Sequence, residues 1–206
     1  DCAIEACRIA TRYMTPVMLL TDGYIANAAE PWRVPDMSNY QPFPVKFFDT
    51  PPAEGEPVMP YSRTEELARP GIKPGTPGLE HRIGGIEKAP GTGNIDYRPE
   101  VHQEMTNTRV GKVLGVANSI PDQQVCLGRE GAELAVVGWG STFGPIHEAV
   151  RRALARGQDV AHLHVRHIWP MPKNMSVLLK GCGNILVPEM NMGQLKTVLR
   201  DQYLGD

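Results

Sequence analysis

Three groups of residues in this chain have types and spacings that invite chemistry. The first is Gly138, Gly140 and Gly144, with Ser141 and Thr142 among them, in the run GWGSTFG that follows an apolar stretch. A glycine turn leading from a strand into a helix exposes backbone amides that can hold an anion, a pyrophosphate above all. The spacing here is GxGxxxG, and the next strand ends without the acidic residue that would hold a ribose. The glycines therefore read as a tight turn with close helix packing, and the amides of Gly140, Ser141 and Thr142 as the place where a weakly held anion would sit.

The second group is histidine. His162 and His164 lie two apart on a strand pattern and share a face, whereas His167 falls an odd number further on and points the other way. Two imidazoles with no third ligand nearby make a poor zinc site, so these are expected to be polar strand residues at a surface or interface. His147 is expected on the solvated face of the preceding helix. The third group centres on Asp22 in LLTDGYIAN. A thiamine diphosphate site holds its metal with a Gly-Asp-Gly turn and a more distant Asn. Here the triplet is Thr-Asp-Gly and Asn27 follows too soon, so Asp22 is expected to cap a helix starting near Gly23. Cys2, Cys7, Cys126 and Cys182 show no CxxC and no nearby histidine partner, which fits free thiols in a reducing compartment. From the residues alone, no catalytic, cofactor-binding or metal-binding residue is assigned.

Composition bounds the rest. At 206 residues with 41% hydrophobic content the chain can bury a real core, and a formal net charge of −2 gives no basic surface for nucleic acid or an anionic membrane. The apolar runs are too short to span a bilayer, and the first residues lack the order of a signal peptide, so a soluble, cytoplasmic protein is expected. The chain opens Asp-Cys and runs straight into a helical pattern, as a piece of a longer protein would.

The elements that must position these residues follow from periodicity. Residues 2–14 predict a helix ended by Thr15-Pro16, and PVMLLT (16–21) predicts an apolar strand whose sheet is missing. Between Pro31 and Pro99 fall 13 of the chain's 19 prolines and 8 of its 21 glycines, so that stretch predicts a long irregular arm, with one short strand around Phe43–Phe48. A helix is predicted over 98–117, then a polar connection over 119–130. Leu134–Val137 predicts a strand and Phe143–Leu154 a helix beginning with Ser141 or Thr142 as cap and ending before Gly157. A half-buried strand over Val160–Ile168 that alternates in and out, a short helix over Met175–Lys180, a strand over Asn184–Val187 and a last helix over Gly193–Tyr203 complete the pattern. Strands alternating with helices predict a three-layer α/β domain with a mainly parallel sheet.

Three stretches, YMTPVMLLTDGYIANAAEPWRVPD, GWGSTFGPIHEAV and the run from His164 to Leu204, closely resemble the α subunits of bacterial 2-oxoacid:ferredoxin oxidoreductases, in particular the 2-oxoglutarate enzymes. HRIGGIEKAPGTGNIDYRPEVHQEM extends the resemblance more weakly. It implies the last third of such a subunit: a remnant of a pyrimidine-side domain over 1–45, an arm over 46–130, and a domain like the carboxy-terminal domain of transketolase over 131–206. It implies an enzyme that decarboxylates 2-oxoglutarate on thiamine diphosphate, passes electrons through an iron-sulfur cluster to ferredoxin and forms succinyl-CoA. Diphosphate, magnesium and cluster would be held mainly by the β subunit. The family's α-subunit motifs that face substrate lie upstream of Asp1, so the chain by itself is expected to bind no cofactor, to be inactive, and to contact the β subunit and the rest of the α subunit. A free-standing scaffolding module of the same fold and a nicotinamide-dependent enzyme using Gly138–Gly144 are the alternatives.

Overall fold

A computed structural model describes residues 1–43 and 45–204. In chain order its helices are α1 (Cys2–Tyr13), α2 (Gly23–Asn27), α3 (Pro99–Gly115), α4 (Phe143–Leu154), α5 (Met175–Lys180) and α6 (Gln194–Leu199), and its strands β1 (Val125–Leu127), β2 (Leu134–Trp139), β3 (Val160–Val165) and β4 (Asn184–Leu186). The chain divides into two units, Asp1–Leu19 with Trp32–Val116, and Leu20–Pro31 with Ala117–Asp206.

In the second unit the four strands form one sheet in the order β1-β3-β2-β4. Strands β2, β3 and β4 run parallel, with Val136 opposite His162 on one side and Leu186 on the other. β1 adds an antiparallel edge against β3. The period of two divides the side chains between two faces. Ala135, Val137, Ala161, Leu163 and Val165 face Met175, Leu178, Leu179, Leu195 and Leu199 of α5 and α6. Val136 and Val160 face Ile146 and Val150 of α4. Helices thus cover both faces, and the mixed, mainly parallel three-layer arrangement agrees with the periodicity.

This layering corrects one expectation. β3 is buried on both faces along almost its whole length, rather than alternating in and out, because α4 lies on one side and α5 with α6 on the other. The stretch over 119–130 is also more than a connection, since it contains β1. Gln123, buried, anchors its approach: its amide donates to Asn174 Oδ1 at 2.8 Å, Asn174 Nδ2 returns a bond to the Gln123 carbonyl at 2.9 Å, and Gln123 Nε2 donates to the His164 carbonyl at 3.1 Å.

The first unit is mostly irregular, as thirteen prolines require. α1 ends at Tyr13, followed by Met14 in the left-handed region at φ 45°. α3 starts with Pro99 in its first turn and buries Val101 and Met105, and Gly111 leaves room for Leu67, which lies 3.1 Å from where a Cβ would stand. Of the strand expected around Phe43–Phe48, a single bridge between Phe47 and Gly71 is seen, and Pro44 lies outside the described residues. Residues 16–21 form no strand, because a strand needs a partner and none pairs with the segment among the described residues.

Candidate functional site

The glycine turn sits at the carboxyl end of β2, where open α/β sheets place ligand-facing loops. Gly138 carries no side chain because a Cβ there would stand 2.3 Å from Ile146 Cδ1 and 2.8 Å from Thr142 Oγ1. α4 can therefore close on the strand. Gly140 has φ +56°, the left-handed region that favours glycine, and opens the short turn Gly140–Thr142. Gly144 meets nothing within 4 Å of a Cβ position, so close packing is not its reason. Thr142 immediately precedes α4, yet its hydroxyl points back along the chain. It donates to the Trp139 carbonyl at 2.6 Å and accepts from the Trp139 amide at 3.1 Å, tying turn to strand instead of capping forward.

Asp22 meets this turn. Its Oδ1 accepts the Ile25 amide at 3.0 Å, capping α2 as its position before Gly23 predicts, and its Oδ2 accepts the Ser141 amide at 2.9 Å. Bonding to Ser141 first, then to Ile25, holds its pKa below the usual aspartate range. Asn27 Nδ2 donates to the Gly23 carbonyl at 2.7 Å within the same short helix. Asp22 and Asn27 therefore serve backbone groups. They do not fit a diphosphate-metal site, since both Asp22 oxygens already accept amides. Among the described residues no group of three His, Cys, Asp or Glu side chains is placed to hold a metal ion.

The histidines are brought together more closely than strand geometry alone indicates. His162 is fully buried and His164 partly buried on the face of β3 that looks at α4. His147 is half-buried rather than solvated: Phe143, one turn earlier, stacks on it at 5.2 Å and meets the edge of His164 at 5.0 Å. His162 Nδ1 and His147 Nδ1 are 3.5 Å apart. Burial, then the neighbouring His164 and His147, pushes His162 down to about 4, and burial lowers His164 as well. Burial thus favours the uncharged forms of the two β3 imidazoles, which pack against Phe143 as an aromatic patch. The i, i+4 pair Phe143/His147 was the legible signal; that it closes over β3 required the packed structure. His167 lies beyond the end of β3, and the four cysteines are free.

The second unit is thus a three-layer α/β domain whose ligand-facing turn is met by a carboxylate of the same unit. Comparison with known proteins identifies it: the model of the family "Pyruvate:ferredoxin oxidoreductase core domain II" matches residues 132–203. Over its whole length the chain is similar to α subunits of the 2-oxoacid:ferredoxin oxidoreductases. It is 50% identical over its whole length to the 2-oxoglutarate oxidoreductase subunit KorA of Mycobacterium tuberculosis, of which it covers 31%. It is 27% identical to the 2-oxoglutarate synthase subunit KorA of Methanothermobacter thermautotrophicus over 95% of this chain and 50% of that one. Its structure superposes, with a TM-score of 0.86 and 28% identity, on 2-oxoglutarate:ferredoxin oxidoreductase from Magnetococcus marinus with 2-oxoglutarate, coenzyme A and succinyl-CoA bound, covering 98% of this chain and 35% of that one. The chain thus spans 31% to 50% of the length of these relatives. No helix among the described residues is long and apolar enough to cross a membrane.

Proposed function

We propose that this chain forms the carboxy-terminal part of the α subunit of a cytoplasmic 2-oxoglutarate:ferredoxin oxidoreductase, and that its task is to hold subunits together beside a catalytic centre built by other parts of the enzyme. The observation that carries this is the run Met18, Leu19 and Leu20, whose side chains are 82%, 50% and 60% exposed on backbone that has no strand partner among the described residues. Apolar side chains on unpaired backbone are a template for another strand, and covering them stabilises an assembly by roughly 25 cal/mol per Å2. On this reading residues 1–45 continue a pyrimidine-side domain, 46–130 form an arm over a neighbouring chain, and 131–206 are the transketolase-like domain. The Ser141 amide holds the Asp22 carboxylate where an external anion would sit on the Gly140–Thr142 turn, which disfavours a nicotinamide dinucleotide there.

Thiamine diphosphate, magnesium and the iron-sulfur cluster then belong mainly to the β subunit, which oxidatively decarboxylates the 2-oxoacid, delivers electrons to ferredoxin and passes the acyl group to CoA. When bound, thiamine diphosphate supplies the carbanion chemistry of decarboxylation. This chain's own residues shape the subunit that surrounds it. In the full α subunit co-expressed with the β subunit, Met18→Asp with Leu20→Asp should abolish co-purification and with it 2-oxoglutarate-dependent ferredoxin reduction. An intact, active complex carrying both substitutions would overturn the proposal, as would turnover by the 206-residue chain alone.

A further inference from the structure

The first unit holds a concave site unrelated to the glycine turn. It is an open cavity of about 250 Å3 bounded by the segment Tyr61–Arg69, the turn Gly84–Lys88 and one side of α3. Arg63, Arg69, Lys88, Arg109 and Lys112 line it, and Glu87 is the single carboxylate among the lining residues. That carboxylate is already shared between Arg109 Nη1, at 3.1 Å, and His102. The other four cations meet neutral groups: Arg63 Nη1 donates to the Leu67 carbonyl at 2.8 Å, Lys112 Nζ to the Met14 carbonyl at 3.0 Å, Lys88 Nζ to the carbonyls of Gly84 and Ile86, and Arg69 lies over the Tyr61 ring at 4.9 Å.

Such a collection is electrostatically costly. Lys88 is only 5% exposed. Burial, followed by repulsion from Arg63 and Arg69, holds Lys112 below the usual lysine range, and burial with Arg69 and Arg109 acts on Arg63 in the same direction. Like charges gathered in a partly dry concavity, with one shared carboxylate to offset them, are the arrangement that a multiply charged ligand relieves. A single carboxylate neutralises one charge. A phosphoryl group presents several oxygens to several donors at once and matches the guanidinium fork.

We propose that this cavity binds a phosphoryl-bearing small molecule through Arg63, Arg69, Arg109 and Lys112. The free source of that chemistry is inorganic phosphate or pyrophosphate, and the linked source is a phosphate ester such as a nucleoside diphosphate. The test is isothermal titration calorimetry on the protein in its native assembly, at constant ionic strength and with thiamine diphosphate saturating its own site. Inorganic pyrophosphate should bind once per chain with a Kd below about 1 mM. Arg69→Gln and, separately, Arg109→Gln should each weaken it by roughly tenfold, as expected for one lost charge-assisted contact. Arg109 is exposed on α3, so its variant keeps the fold if the Arg69 variant does not. ADP binding tighter than pyrophosphate would identify the linked source, and the reverse order the free one. Pyrophosphate binding no better than chloride, or binding untouched by both substitutions, would overturn the proposal.

Discussion

The carboxylate of Asp22 accepts the backbone amide of Ser141 at 2.9 Å, joining the loop before α2 to the turn that enters α4 across 119 residues of chain. One oxygen of the same carboxylate caps α2 while the other holds the turn, so a single side chain orders two segments of the second unit.

Asp22→Ala removes both acceptors. The Ser141 amide should then exchange with deuterium roughly tenfold faster, the loss expected for one hydrogen bond of this kind, while core amides of β2 and β3 keep their protection. Asp22→Asn should retain most of the protection, since its carbonyl oxygen still accepts. Exchange at Ser141 unchanged in the alanine variant would show that the contact does not hold the turn.

Gly138→Ala places a methyl group 2.3 Å from Ile146 Cδ1, so α4 must shift or Ile146 must leave its rotamer. The expected cost is about 1–3 kcal/mol, read from urea denaturation. Combining it with Ile146→Val should recover part of that loss, because the clashing carbon is the one removed. At Gly144, where the space is open, alanine should be nearly neutral.

His162 titrates at about 4 in the folded chain because it is buried beside His164 and His147, whereas an unfolded histidine titrates near 6.5. Between those values the unfolded chain binds the proton and the folded chain does not. Stability from this group is therefore complete above about pH 6.5 and falls as the pH drops toward 4, by roughly 3 kcal/mol in all. Urea midpoints measured between pH 8 and pH 4 should show this slope, and His162→Gln should flatten it in the upper part of the window, above the range where carboxylates titrate. An equal slope in that variant would place the titrating group elsewhere.

On α5, Leu179 is 1% exposed and packs in the core with Leu163 and Leu195, while Val177 on the same helix faces solvent. Leu179→Ala should cost about 2–5 kcal/mol by lost burial and the cavity left behind. Val177→Ala should stay within about 0.5 kcal/mol. Equal effects by thermal or urea unfolding would contradict the layering.

Local pattern was sufficient wherever one segment decides its own conformation. The 3.6 period of α4 and α5, the proline break after α1, the glycine following α4 and the Asp22 cap were all legible, because each rests on dihedral preference or on a hydrogen bond within a few residues. The wording of GWGSTFGPIHEAV and its companions carried the resemblance to these α subunits, which agrees with 50% identity over the whole chain to one of them. Other features were settled only by tertiary structure. VCL is too short and too mixed to announce an antiparallel edge, and it becomes β1 because β3 offers hydrogen bonds. PVMLLT has the composition of a strand and is none, because pairing is a property of two segments. His162 reads as polar and is buried because α4 folds over it, and the second oxygen of Asp22 finds an amide 119 residues away. Sequence periodicity assigns each residue a face of its own element; what covers that face, and which charges meet there, depends on long-range packing.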